Sequence, residues 1–352
     1  ELSFHEEKSA QRLAKELRSL GWEVTEKIGG HGVVAVLKNG DGPTVLMRCD
    51  MDALPVREMT RLPYASKVMV KDDSGVEVPV MHACGHDVHM ASWVGAARVL
   101  TTMKRRWKGT LVFIAQPAEE KGAGSAAMLK AGLFLKLPTP DVCFALHVNS
   151  ELPSGVLGWR EGPLTANVDS VDITVKGIGG HGAQPQSTKD PVVLAAQIVL
   201  ALQTIDSREL HPTEPVVVTV GSIHGGTKHN IIPDSVKLQL TIRTYTDETR
   251  EKVLAAIKRI AHGLGVAAGL PEGLLPEVKS SETFTPVLNN DSAVTKRVVG
   301  VFRKMFGEDR VRERKPSMGG EDFARYGRTA DKIPIFMFVV GVVEPKRFAE
   351  EE

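Results

Sequence analysis

Apolar and polar positions recur with two different periods along this chain. Over residues 6–20 the apolar positions Ala10, Leu13, Ala14, Leu17 and Leu20 fall at helical spacing and stop at Gly21, which predicts a helix with one buried stripe. Short, nearly continuous apolar runs follow at 44–48, 110–116, 141–147 and 333–340, with helical segments between them. Runs of that length fit strands buried on both faces, and their alternation with helices predicts a mostly parallel sheet covered on both sides. Residues 89–105 predict another helix, whose small residues Ala91, Gly95, Ala96 and Ala97 allow close packing on a sheet.

The middle of the chain has the other period. Residues 168–176 alternate through Val171, Ile173 and Val175, as a half-exposed strand does. A helix at 190–206, strands at 215–223 and 235–245, a helix at 247–268 and a short strand at 277–283 follow. That order predicts an α+β, ferredoxin-like domain with helices on one face of a small sheet. We therefore place an inserted domain at 168–282, within a discontinuous first domain of 1–167 and 283–352. The first domain resumes with a helix at 290–306 and the strand at 333–340.

Composition narrows the function classes. The chain has 352 residues, 42% hydrophobic and 25% charged, with a net charge of +1. That length suits two domains, and that charge gives no reason to expect nucleic acid or an anionic membrane as partner. No apolar run approaches the ~20 residues that span a bilayer. Three cysteines, Cys49, Cys84 and Cys143, are too few for a disulfide framework, so a reducing cytoplasm is the expected compartment. The chain opens at Glu1-Leu2-Ser3-Phe4 without an initiator methionine, as a trimmed or processed terminus would.

Candidate chemistry lies where the apolar runs end. Asp50 and Asp52 follow the run at 44–48, Gln116 to Glu120 end the run at 110–116, and His147 ends the run at 141–147. Sites in open parallel sheets form at the carboxyl ends of strands, so these clusters are expected to converge. The densest one is Met81 to Met90, with Cys84, three histidines and an aspartate between His82 and His89. Imidazole, thiolate and carboxylate bind borderline transition metals. Cys84 and His86 flank Gly85, which permits a tight turn that presents both to one ion. Taken alone, Cys84 reads as a buried free thiol; the whole cluster reads as a metal site. His82, Asp87 and His89 are expected to support the ligands instead of serving as ligands. In Glu119-Glu120, neighbours on an extended segment point to opposite sides, so one carboxylate can meet metal while the other faces the attacking water. Asp50 and Asp52 are open between binding metal, orienting a ligand and capping a turn, with a supporting role preferred for Asp52.

The inserted domain carries a weaker cluster. Gly177-Ile178-Gly179-Gly180-His181-Gly182 matches a dinucleotide-binding pattern, but no helix opens after it and no following strand carries the acidic ribose ligand. A flexible turn presenting His181 is the better reading. Asn230 lies in a later polar turn and Arg243 on the next strand. A histidine, an asparagine and an arginine suit an oxyanion and a substrate carboxylate.

Together these stretches resemble the aminoacylase and carboxypeptidase amidohydrolases, in the branch of hippurate hydrolases, N-acyl-amino-acid amidohydrolases and auxin-conjugate hydrolases. The matching segments are Asp50-Met51-Asp52-Ala53-Leu54-Pro55, Met81 to Met90, Gln116 to Glu120, Gly179 to Pro185, Gly226 to Asp234 and Met318-Gly319-Gly320-Glu321-Asp322-Phe323. The resemblance implies two divalent metal ions (manganese, zinc or cobalt) held by Cys84, His86, Glu120 and His147, with Glu119 as general base and Asp52 orienting the site. It implies that His181 stabilises the tetrahedral intermediate, often across a homodimer formed by the inserted domain, and that Asn230 and Arg243 hold the substrate carboxylate. The expected substrate is a small N-acyl amino acid. A metallopeptidase acting on dipeptides or C-terminal residues is the alternative reading. The family pattern ends with a further histidine ligand, whereas no histidine follows His262 here. An incomplete second metal position, and with it a non-catalytic relative, is therefore a third reading.

Overall fold

A computed structural model describes every residue except Lys136, Glu282 and Glu352, together with all side chains but theirs and that of Glu351. The expected inserted-domain end at Glu282 thus lies outside the described residues, as does the terminal Glu352. Two compact units are present. One comprises Glu1–Leu164, Leu288–Ser317 and Glu321–Glu352, and the other Thr165–Val287 and Met318–Gly320.

The first unit is built on an eight-stranded sheet. At its centre, strand Thr44–Asp50 pairs in parallel with Gly109–Gln116 on one side and with Val142–Pro153 on the other. Ile335–Val343 adds in parallel to the outer edge of Val142–Pro153. Val33–Asn39 and Glu23–Thr25 extend the opposite edge antiparallel. Gly109–Gln116 shows why the sequence carries continuous apolar runs. Its Leu111, Phe113 and Ala115 pack with Leu13, Leu17, Trp22 and Trp93 of one layer. Its Val112 and Ile114 pack with Met128, Leu133, Tyr326 and Met337 of the other. Both faces are covered, so neither needs polar residues.

The predicted helices and strands recur with shifted ends. Helix Glu7–Ser19 buries Ala10, Leu13, Ala14 and Leu17. Helix His86–Thr102 starts three residues before the expected 89, because Gly85 takes a left-handed conformation (φ 78°) from which the helix can start at once. His147 does not end its strand, which continues to Pro153. Pairing with Thr44–Asp50 stops at Ala145, so one side of the strand is open where His147 lies.

The second unit has a four-stranded antiparallel sheet. Asn167–Lys176 lies beside Ser235–Thr244, which is flanked by Val217–His224, while Glu277–Ser280 adds to the other edge of Asn167–Lys176. Helices Pro191–Leu202 and Asp247–Ala267 pack their Leu194, Ile198, Val253 and Ile257 with Val171, Ile173, Leu238 and Ile242 of the sheet. This is the split strand-helix-strand order of ferredoxin-like folds. Side-chain caps define both helix starts: Asp190 accepts from the Val192 amide, and Thr246 from the Thr249 amide.

The segment between strand Gly109–Gln116 and helix Gly124–Lys130 is packed tightly. A Cβ on Gly124 would sit 1.5 Å from the Pro117 carbonyl oxygen. Backbone cannot yield as a flexible side chain does, so Gly124→Ala is expected to lower stability by about 1–3 kcal/mol. Chemical denaturation measures this as a lower midpoint with an unchanged slope. A wild-type midpoint would contradict the packing described.

Candidate metal centre

The turn after strand Gly109–Gln116, the middle of strand Val142–Pro153 and the start of helix His86–Thr102 bring Cys84, His86, His147, Glu119 and Glu120 together in the first unit. Possible ligand atoms of Cys84, His86 and His147 lie within 4.8 Å of one another, as do those of His86, Glu119 and Glu120. Cys84 Sγ is 3.4 Å from His147 Nε2, and His86 Nε2 is 3.8 Å from Glu120 Oε1 and 4.0 Å from Glu119 Oε2. Gly85 gives this approach its shape: a Cβ there would stand 2.3 Å from Val148 Cγ2.

The hydrogen bonds separate three imidazoles by role, those of His86 and His89 buried and that of His147 half-buried. His86 Nδ1 donates to the Asp52 carbonyl oxygen at 2.8 Å, and His147 Nδ1 donates to the Val148 carbonyl oxygen at 2.6 Å. Each then presents Nε2 towards the cluster. His89 has both nitrogens engaged: Nδ1 donates to Asp50 Oδ1 at 2.6 Å, and the Val148 amide donates to Nε2 at 3.0 Å. His89 therefore braces Asp50 and the strand bearing His147. Asp87 is exposed on the helix, and His82 is half-buried.

A divalent cation fits these groups. His86 Nε2 and Glu120 Oε1 are both buried and neither has a hydrogen-bond partner, a costly state unless something else binds them. Their spacing matches ligand atoms about 2.0–2.3 Å from a shared ion. Charge points the same way. Asp50, Asp52, Glu119, Glu120, Glu321 and Asp322 crowd the region, with Arg48 as the buried guanidinium among them.

Arg48 organises the floor of the site. Its Nη1 donates to Asp50 at 2.6 Å, its Nη2 to Glu321 at 2.9 Å and Asp322 at 3.2 Å, and its Nε to Gln116 at 3.1 Å. Gln116 Nε2 and the Ser125 amide also donate to Asp322. Burial opposes ionisation of Asp50, but Arg48 holds its carboxyl well below the usual range. Burial, reinforced by Glu321 and Asp322, pushes Glu119 well above it. Glu120 is raised by burial. Burial raises the Cys84 thiol, yet its hydrogen bond with His147 and the nearness of His86 carry it below its ordinary value.

Glu119 and Glu120 depart from expectation. They lie in a turn in which the Gly122 amide donates to the Glu119 carbonyl at 2.7 Å, and both carboxylates approach His86 Nε2. Ala118, fully buried with φ 50°, turns the chain before the pair and breaks the extended geometry that would have separated them. Asp52 is buried. Its Oδ2 accepts from Ser3 Oγ at 2.6 Å and from the Glu120 amide at 3.0 Å.

His181, Asn230 and Arg243 belong to the second unit. His181 pairs with Ile231 in a two-stranded ribbon, and the Gly182 amide donates to the Asn230 carbonyl at 2.9 Å. The Ala183 amide donates to His181 Nδ1 at 3.0 Å, which leaves Nε2 to carry the proton of the neutral ring. Arg243 is half-buried, with Nε donating to Thr241 Oγ1. A turn and the short 3-10 helix Pro185–Ser187 follow Gly182. Sequence reasoning gave no role to Arg48, Glu321, Asp322, Ser3 or Glu6. A signal existed only for Glu321 and Asp322, inside a matched segment.

The profile of peptidase family M20/M25/M40 matches residues 46–351. Thermostable carboxypeptidase 2 of Saccharolobus solfataricus is 37% identical over 351 residues, 99% of this chain and 84% of that protein. N-acetylcysteine deacetylase of Bacillus subtilis is 37% identical over 348 residues, 97% of this chain and 84% of that protein. A crystal structure of a Bacillus subtilis protein, described as a dinuclear metal binding peptidase from the M20 family, superposes with TM-score 0.79. It is 32% identical and covers 99% of this chain and 90% of that one.

The two ligand-like imidazoles also set a pH dependence for the metal-free protein. Burial disfavours the charged form of His86, but Asp50 and Asp52 raise it to about 12. Burial likewise opposes His147, while Cys84 and Asp50 raise it to about 9. Values above the ordinary imidazole value of ~6.5 mean that the folded state holds these protons more tightly. The resulting stability is complete below about pH 6.5 and is lost as pH rises through the folded value of His147. Metal binds deprotonated imidazole, so its stabilisation should grow over the same interval. Thermal melting of metal-free and metal-loaded protein from pH 6.5 to 9 is expected to show a falling metal-free Tm and a widening gap. A flat metal-free curve would contradict this electrostatic picture.

Proposed function

The chain belongs to peptidase family M20/M25/M40, and on that footing we propose that it hydrolyses the amide bond of N-acyl amino acids. It is a metal-dependent amidohydrolase. Cys84, His86, Glu120 and His147 would hold divalent cations, with manganese, zinc and cobalt as the candidates and Asp52 orienting the set. When bound, such a cation lowers the pKa of water and polarises a carbonyl. The observation that carries the reading is the pair of buried, unpartnered atoms, His86 Nε2 and Glu120 Oε1, beside the Glu119 carboxyl.

Glu119 is the proton carrier. Its raised pKa suits a base that must also return its proton. It takes a proton from the attacking water as the water oxygen bonds to the acyl carbon. The carbon–nitrogen bond then breaks, and Glu119 delivers the proton to the departing amine. The products are a carboxylic acid and an amino acid. His181, with Nδ1 occupied by the Ala183 amide, donates Nε2–H to the carbonyl oxygen as negative charge develops on it. Asn230 and Arg243 hold the substrate carboxylate.

The carboxypeptidase relative favours a second reading, in which the leaving group is the last residue of a peptide. A requirement for a free α-amino group on the acyl side would single out a dipeptidase-type substrate. We also propose a homodimer through the second unit. Helix Pro191–Leu202 exposes Val192, Val193 and Leu200, and Val217–His224 ends its sheet. Light scattering should then give twice the chain mass, and a monomer would remove this part of the reading. A thiolate ligand at Cys84 suits a reducing cytoplasm.

The decisive variant is Glu119→Gln, assayed on N-acetyl, N-benzoyl and indole-acetyl amino acids with added manganese, zinc or cobalt. Metal content should be retained and kcat should fall about 10²–10⁴-fold. Near-normal turnover would remove Glu119 as the base.

A further inference from the structure

Glu6 lies far in sequence from the metal centre, yet it is fully buried in the first unit. One of its oxygens, Oε1, accepts from the Ala118 amide at 2.8 Å and from the Phe4 amide at 2.9 Å. Both donors are non-glycine residues in the left-handed region, Ala118 at φ 50° and Phe4 at φ 66°. L-residues rarely hold that conformation unless their surroundings impose it. Ala118 is also the residue whose turn swings Glu119 and Glu120 to the same side. Its carbonyl accepts from the Ala123 and Gly124 amides, so the turn is gripped at both of its backbone polar groups.

The neighbouring contact has the same sense. Ser3 donates to Asp52, and the same carboxylate oxygen accepts from the Glu120 amide. The Ala53 amide donates to the Glu1 carbonyl. The first six residues thus hold both the loop bearing Asp52 and the turn bearing Glu119 and Glu120.

We propose that Glu6 is a positioning residue for the reaction: it fixes the left-handed turn at Ala118 that aims Glu119 and Glu120 at His86. This rests on the roles proposed above for Glu119 and Glu120. The action is geometric. Glu6 Oε2 is buried and has no hydrogen-bond partner, so the turn is held through one acceptor oxygen. Burial also raises its pKa. Length and one acceptor oxygen are the requirements. Glutamine supplies both, with its nitrogen in the place of the unpartnered Oε2. Aspartate keeps the charge but is one methylene too short to reach both amides.

The test compares Glu6→Gln with Glu6→Asp, each loaded with manganese or zinc and assayed well below its melting temperature. Glu6→Gln should keep most of kcat and of the metal affinity measured by chelator competition. Glu6→Asp should lose about 10- to 100-fold in kcat, with KM moving less, and about 10- to 100-fold in metal affinity. The inference is overturned if Glu6→Asp retains wild-type kcat and metal affinity while only its Tm falls. It is equally overturned if Glu6→Gln is as damaged as Glu6→Asp. Glu119→Gln, run in parallel, separates the two ideas. If that variant stays active, the roles given to Glu119 fail whatever Glu6 does. If it is dead while Glu6→Asp is normal, the positioning role alone fails.

Discussion

Buried negative charge is the constraint on which this site depends. Asp50, Asp52, Glu119, Glu120, Glu321 and Asp322 all come to the ends of the central strands, and Arg48 answers part of that charge from below. Isolated carboxylates in such a setting would protonate or disrupt the fold. Arg48 ties Asp50, Glu321, Asp322 and Gln116 into one network with nearly every polar atom satisfied. Upper groups (His86 Nε2 and Glu120 Oε1) remain without partners. The satisfied network makes a rigid floor, and the unsatisfied atoms face a place suited to cations. That division of labour is what a metallohydrolase requires: fixed ligands, a carboxylate held back for proton transfer, and little reorganisation during the reaction.

The sheet explains how such groups can meet. Asp50, Gln116 and His147 come from three strands that run parallel side by side, so their carboxyl ends fall at one edge of the sheet. The strands are apolar on both faces because layers cover both faces. The chemistry therefore gathers at strand ends and the turns that leave them, at the start of helix His86–Thr102, and at His147, where its strand runs beyond its pairing with Thr44–Asp50. Gly85 and Gly124 occur where those turns approach other backbone or a branched side chain too closely for a Cβ.

Much of this was legible in the sequence. Continuous apolar runs located the central strands, polar clusters after them pointed to Glu119, Glu120 and His147, and the density of cysteine and histidine between Met81 and Met90 pointed to Cys84 and His86. Local pattern could not resolve conformation at single residues. Nothing in Pro117-Ala118-Glu119 announces a left-handed alanine, because that state is imposed by Glu6 from 112 positions away. Arg48 looked like the polar end of an apolar run. Its partners Glu321 and Asp322 lie more than 270 positions downstream, and only the folded chain joins them. The strand bearing His147 ran longer than its apolar stretch because Ile335–Val343 supplies backbone pairing beyond that point.

Without metal, protons on His86 and His147 answer the excess of buried negative charge, and bound metal would take their place. Calorimetry of manganese or zinc binding near neutral pH, in buffers of different ionisation enthalpy, counts the protons exchanged. With His86 raised to about 12 and His147 to about 9 in the metal-free protein, filling the site should release protons, about one or more per metal bound. Tight binding without proton release would mean that these imidazoles are already neutral, and it would contradict the electrostatic account of the site.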